Sequence, residues 1–213
     1  MSAEAGANRP PHHHPLQNRV DPFGALHAVS FRGSMMGNRG GRFHHPAQDL
    51  GTRHWASRQW LICLCDFKDR RREVWGRGYT ELFFLDEITA LAAGHRPCFE
   101  CRRDAARAFC AAVGVTSAPA LDELLHRQRL QEGRKRSFAA PWQSLPDGAM
   151  FAIGTQAYAL AQRRALPWSF AGYGPAARLP LNLEVTVLTP PSTVLALAAG
   201  YRPQNAPDAG LPH

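Results

Sequence analysis

The chain has 213 residues, 45% of them hydrophobic, and a net charge of +8. It is long enough to bury one large core or two small ones, and its longest apolar runs, such as the one near residue 195, are far shorter than the roughly twenty residues of a membrane-spanning helix. A membrane-spanning helix is not expected on that ground, a soluble protein is, and the basic balance points to an anionic partner, nucleic acid first.

Residues 1–18 are rich in Pro and His with no apolar period, so a disordered tail is expected. They contain no hydrophobic signal segment, and five cysteines without an export signal argue for reduced thiols in the cytoplasm and for metal rather than disulfides. Residues 19–54 read as a loop segment rich in Gly, Arg and His. Its stretch FRGSMMGNRGGRFHHP interleaves Gly33, Gly37, Gly40 and Gly41 with Arg32, Arg39 and Arg42. Arginines and exposed amides in that pattern suit a phosphate, while a plain mobile loop explains it equally well.

Residues 55–115 carry the strongest pattern. From Arg58 to Gly76 the sequence predicts a hairpin, QWLICLCDF and RREVWG joined by KDRR, followed by the strand TELFF. Strand alternation places Leu61, Cys63, Cys65 and Phe67 on one face and Trp60, Ile62 and Leu64 on the other. Asp86 is a natural N-cap for a short helix that Gly94 ends. A turn with Cys98 and Cys101 then leads into a helix that carries Ala105, Ala106, Phe109, Ala112 and Val113 at helical spacing.

Cys98-x-x-Cys101 is the usual half of a zinc site, because two thiolates at that spacing reach one ion while the turn amides point towards the sulfurs. Cys63 and Cys65, facing the same way from one strand, are the candidates to complete it with Zn2+; two small core residues are the competing account. His44, His45 and His95 are rival ligands, and Cys110 is expected in the core. Glu100, between the paired cysteines, reads as a first-turn carboxylate of the helix.

Residues 80–103 also resemble a known family. Phe83-Phe84, Asp86-Glu87, the small residues Ala90, Ala92 and Ala93, then Gly94-His95-Arg96-Pro97-Cys98 and Cys101-Arg102 are similar to the zinc-binding module of the Ada DNA-alkylation-response proteins. The resemblance implies a four-thiolate zinc site resting on DNA, in which an upstream Cys-x3-Cys pair supplies the other two ligands and its leading cysteine accepts a methyl group from a phosphotriester. The positions that would match that pair, around Lys68 to Arg72, hold no cysteine.

Residues 116–140 predict a helix, LDELLHRQRLQEG, with Leu121, Leu124, Leu125 and Leu130 on one side, and a basic linker with Arg134, Lys135 and Arg136. Residues 141–213 are strand-rich: a hairpin around Gly154-Thr155, the aromatic segment ALPWSFAGYG, a strand LEVTVLT and a closing helix STVLALAAG. Trp168, Phe170 and Tyr173 suit either packing or base stacking. ALAAGYRP at 196–203 repeats ALAAGHRP at 90–97, as a shared helix stop or as a duplicated unit.

The expected fold is therefore α+β, a zinc-organised unit followed by a strand-rich half. The expected function is zinc-dependent binding of nucleic acid, DNA ahead of RNA, with phosphates contacted by Arg39 and Arg42, by Arg70 and Arg71, and by Arg102 and Arg103. Two alternatives stand beside it: a zinc-dependent nuclease or metal-activated alkyl-acceptor repair protein, and a zinc-stabilised protein-interaction module. No Gly-x-Ser-x-Gly, His-Glu-x-x-His or Gly-Lys-Ser/Thr motif is present to identify a catalyst.

Overall fold

A computed structural model of the chain describes residues 14–68 and 73–204. The expected tail lies outside the described residues as far as residue 13, and Arg70 and Arg71 lie outside them too. The first six strands are β1 (Arg19–Val20), β2 (Leu26–His27), β3 (Met35–Arg39), β4 (Trp60–Leu64), β5 (Leu82–Phe84) and β6 (Arg96–Pro97). They form one mixed sheet in the order β2-β1-β5-β3-β4-β6. Helix α1 (Glu87–Ala92) lies between β5 and β6 in the chain, and α2 (Arg103–Val113) and α3 (Ala118–Arg129) follow. A two-stranded ribbon, β7 (Leu130–Gln131) and β8 (Arg134–Lys135), leads to the second sheet.

That sheet is antiparallel and contains β9 (Phe138–Pro141), β10 (Met150–Ile153), β11 (Gln156–Ala161), β12 (Arg164–Ser169), β13 (Gly172–Tyr173) and β14 (Glu184–Val187), before helix α4 (Pro191–Ala198) ends the described fold. The architecture is α+β, as expected. One hydrophobic cluster joins both sheets, with Val20, Ile62 and Phe84 from the first, Phe109, Leu121 and Leu125 from the helices, and Phe151 and Val187 from the second. No single helix among the described residues is long and apolar enough to cross a membrane.

Three sequence expectations are corrected by the structure. Residues 19–54, expected as loop, supply β1, β2 and β3. MMGNR has no β-branched residue to announce a strand. It contains Gly37 because a Cβ there would stand 2.1 Å from the Leu61 carbonyl oxygen of the neighbouring strand. The hairpin expected between QWLICLCDF and RREVWG is absent among the described residues: β4 pairs with β3 and, in parallel, with β6. Residues 73–76 form a turn. Trp75 is buried there through other contacts, its ring stacked on His44 at 5.3 Å and its indole N–H donating to the Glu81 carbonyl at 2.9 Å. Finally, α3 starts at Ala118 with Ser117 as N-cap, and Leu130 leaves the helix for β7.

All six residues of α1 are buried. A helix this short gains little from its own hydrogen bonds, so its polar groups are met by distant parts of the chain. Asp86 accepts from the Thr89 N–H at 2.8 Å and from the Tyr173 hydroxyl at 2.7 Å. Trp168 donates its indole N–H to Thr89 Oγ1 at 3.0 Å. Glu87 pairs with Arg102 at 2.5 Å and accepts from the Tyr201 hydroxyl and the Gln204 N–H, both at 2.6 Å. Trp168 and Tyr173 thus pin a helix through their polar atoms and pack against the core beside it. Both copies of ALAAG-x-RP end a helix in the same way: Gly94 and Gly200 take φ of 88° and 101°, and the N–H groups of His95 and Tyr201 close onto the carbonyls of Ala90 and Ala196 at 3.0 and 2.9 Å.

Glu87→Ala leaves the Arg102 guanidinium buried without its counter-charge. The expected loss is about 3–5 kcal/mol of stability in urea unfolding. Glu123→Ala, which breaks only exposed pairs with Arg58 and Arg127, is expected to cost less than about 1 kcal/mol in the same measurement.

Candidate metal centre

The register of β4 with β6 builds this site. Leu61 lies beside Arg96 and Ile62 beside Pro97 in parallel pairing, so the chain leaving β6 emerges next to Cys63. The Cys98 N–H continues the ladder by donating to the Ile62 carbonyl at 2.9 Å. The turn then brings Cys101 back, and the Sγ atoms of Cys63, Cys98 and Cys101 all lie within 4.8 Å of one another. A tetrahedral ion with Zn–S bonds of about 2.3 Å draws sulfurs to about 3.8 Å apart, so a small closure places all three on one ion. The group can hold a metal ion.

The turn favours thiolate at Cys98, whereas Cys63 and Cys101 are pushed up. Glu100 donates its backbone N–H to Cys98 Sγ at 3.3 Å, and the Leu64 amide bonds to Cys101. Hydrogen bonds from Cys101 and then Cys63 hold Cys98 down to about 2. Cys63, which shares its proton with both neighbours and is buried, is pushed far up. Thiols must release protons when a metal binds, so affinity falls as pH falls.

Cys65 is not among the three grouped sulfurs. Strand β4 ends at Leu64, and Cys65, which lines the same cleft, is exposed with its thiol 3.5 Å from the Ser34 carbonyl. The rival histidines are elsewhere as well. His44 Nδ1 bonds to Thr80 Oγ1 and His45 Nδ1 to Asp49, each at 2.8 Å. His95 is fully buried against the rings of Phe84 and Trp60, its Nε2 accepting from Arg39 at 3.4 Å. Cys110 packs in the core, as expected.

A cleft of ≈ 460 Å³ opens beside the sulfurs, walled by Met36 and Asn38 of β3, Leu61 of β4, and Tyr79, Glu81 and Glu100. Among the described residues no fourth His, Cys, Asp or Glu joins the three sulfurs. A tetrahedral ion held by these three sulfurs would have its fourth position left for another ligand.

The expected arginine contacts divide. Arg39 is buried, donates to the carbonyls of Gly24 and His54 at 2.8 and 3.3 Å, and lies 4.1 Å over the Trp60 ring. Arg102 is buried against Glu87. Both are buried, so neither stands on the outer surface along which a nucleic-acid backbone would run. Arg42 and Arg103 are exposed. Sequence reasoning misses buried Arg129 and half-buried Lys135 as cations turned into the fold. Arg129 is detectable, since Leu121, Leu125 and Arg129 repeat at four-residue spacing on one helix face.

No protein-family model, curated protein or solved structure matches the chain.

Zinc per chain, measured by elemental analysis, is expected to be one equivalent in the wild type and in Cys65→Ser. It is expected to drop well below stoichiometry in Cys63→Ser, Cys98→Ser and Cys101→Ser. Full zinc retention in Cys63→Ser would remove β4 from the site.

Proposed function

We propose that the chain is a cytoplasmic zinc protein that binds nucleic acid, with Cys63, Cys98 and Cys101 holding the ion. The observation that carries this reading is the meeting of three sulfurs from a strand and from a turn more than thirty residues later. Soft thiolate ligands select zinc over magnesium or calcium. The ion ties β4 to the start of α2 and so fixes the surface that carries Arg103.

Three features support an anionic polymer as the partner. The net charge is +8. Arg103 and Arg107 are exposed one turn apart on α2, directly after the cysteine turn. Exposed Arg42 follows Gly40 and Gly41, which line the cleft with the cysteines. The Ada-like stretch at residues 80–103 is the reason to place DNA ahead of RNA. Hydrolysis by the same centre is the weaker reading. Three thiolates leave the zinc with a net negative charge, which reduces its pull on a bound water compared with the neutral-ligand centres that activate water well.

Binding of duplex DNA, followed by fluorescence anisotropy across a salt series, is expected to weaken as salt rises. Arg103→Ala is expected to lower the slope of log K against log salt by about 0.9 for each phosphate it no longer neutralises, with zinc content unchanged. An unchanged slope in both Arg103→Ala and Arg42→Ala would overturn the assignment of the knuckle surface as the interface. Tighter binding of single-stranded RNA than of duplex DNA would overturn the choice of DNA.

A further inference from the structure

On the opposite face of the first sheet from the metal cleft, three cations gather around Trp60. Leu61 and Cys63 face the cleft, whereas Trp60 faces a second pocket of ≈ 180 Å³ lined by Arg39, Arg129, Lys135, Trp55, Trp60 and Phe23. Arg39 and Arg129 are 2% and 0% exposed, and their guanidinium carbons lie 4.1 and 4.0 Å from a Trp60 ring centroid. Buried charges in proteins are normally paired. Among the described residues none of these three cations forms an ion pair. The carboxylates whose fields reach them are already engaged: Asp21 bonds to the Ala25 N–H and to His27, and Asp122 pairs with Arg96.

Neutral carbonyls take part of the donor capacity. Arg129 donates to Gly94 and Arg58 and bonds to His126, Arg39 donates to Gly24, His54 and His95, and Lys135 donates to Ala92. A guanidinium has five N–H and an ammonium three, so each cation keeps donors unspent, and Arg129 Nε is buried with no partner at all. Burial, with Arg39 and Arg129 alongside, pushes the Lys135 ammonium down to about 7, as expected of positive charges crowded without an anion.

We infer that this pocket is a binding site for a phosphate monoester, whose oxyanion accepts hydrogen bonds from Arg39, Arg129 and Lys135 while half-buried Trp55 at the rim offers its face to a planar substituent. At roughly 30 Å³ per water, the pocket has room for a tetrahedral oxyanion. The two guanidinium forks and the ammonium match its several acceptors, and planar guanidinium is suited to paired bonds with phosphate oxygens. The site is independent of the metal centre, sharing no residue with it.

The test uses the zinc-loaded full chain titrated with inorganic phosphate, a nucleoside 5′-monophosphate and a 5′-phosphorylated oligonucleotide, with chloride at matched ionic strength as control, by calorimetry and thermal shift. Saturable phosphate binding that raises the melting temperature, weakens at least tenfold in Lys135→Met and persists in Cys98→Ser is the expected result. Tighter binding of the monophosphate than of inorganic phosphate, abolished in Trp55→Ala, places the planar group at the rim. Equal binding of the two overturns that part. Preference for the oligonucleotide over the free monophosphate would identify a nucleic-acid terminus as the source of the phosphate, and the reverse preference a free nucleotide. Absence of saturable binding by all three probes, or equal binding by wild type and a folded Lys135→Met, overturns the site.

Discussion

A six-residue helix with no exposed residue is the constraint on which the rest of the structure depends. Burying α1 removes its first N–H groups and last C=O groups from water, and each left unmet costs about as much as a missing hydrogen bond. The chain meets them from several directions. Asp86 caps the start, tied to β13 by Tyr173. Glu87 is held by Arg102, Tyr201 and the Gln204 amide, which brings in the start of α2 and the chain beyond α4. At the other end Lys135 and Arg129 donate to the carbonyls of Ala92 and Gly94. Both sheets are therefore fastened to one short helix.

The two candidate sites lie at the two ends of that arrangement. Arg102 follows Cys101, so the pair with Glu87 fixes the end of the cysteine turn from the core side, while β4 and β6 fix the other end through backbone pairing. Three sulfurs are thus brought together by a sheet register and a buried ion pair, which leaves a metal little ordering to do. At the C-terminal end of α1 the same logic gathers cations. Carbonyls at a helix C-terminus carry partial negative charge, which draws Lys135 and Arg129 inward and leaves more positive charge in the pocket than partial dipoles neutralise. What holds the helix in place also creates the polar chemistry on either side of the sheet.

The features written in local chemistry are legible in the sequence. Asp86 as a cap, Gly94 and Gly200 as helix stops, the hairpin at Gly154 and the Cys98–Cys101 turn all depend on neighbours a few residues away. What depends on partners far along the chain is not. β3 contains Gly37 and no β-branched residue, because its requirement is close approach to Leu61, which no local pattern records. Cys65 lines the same cleft as Cys63, but its thiol lies beside the Ser34 carbonyl and outside the sulfur group. The arginines read as surface because charge is normally solvated. Arg39, Arg102 and Arg129 are buried by an indole, a carboxylate and helix-end carbonyls contributed by other elements.

The proposed function rests on Cys63, Cys98 and Cys101 holding one metal ion, a group of sulfurs placed to do so. X-ray absorption at the zinc edge of the purified protein tests it most directly. The expected result is a shell of three sulfurs at about 2.3 Å and one lighter atom at about 2.0–2.2 Å, with the lighter scatterer replaced by sulfur when a small thiol is added. A shell of four sulfurs in the untreated protein, or one made of nitrogen and oxygen alone, would contradict it.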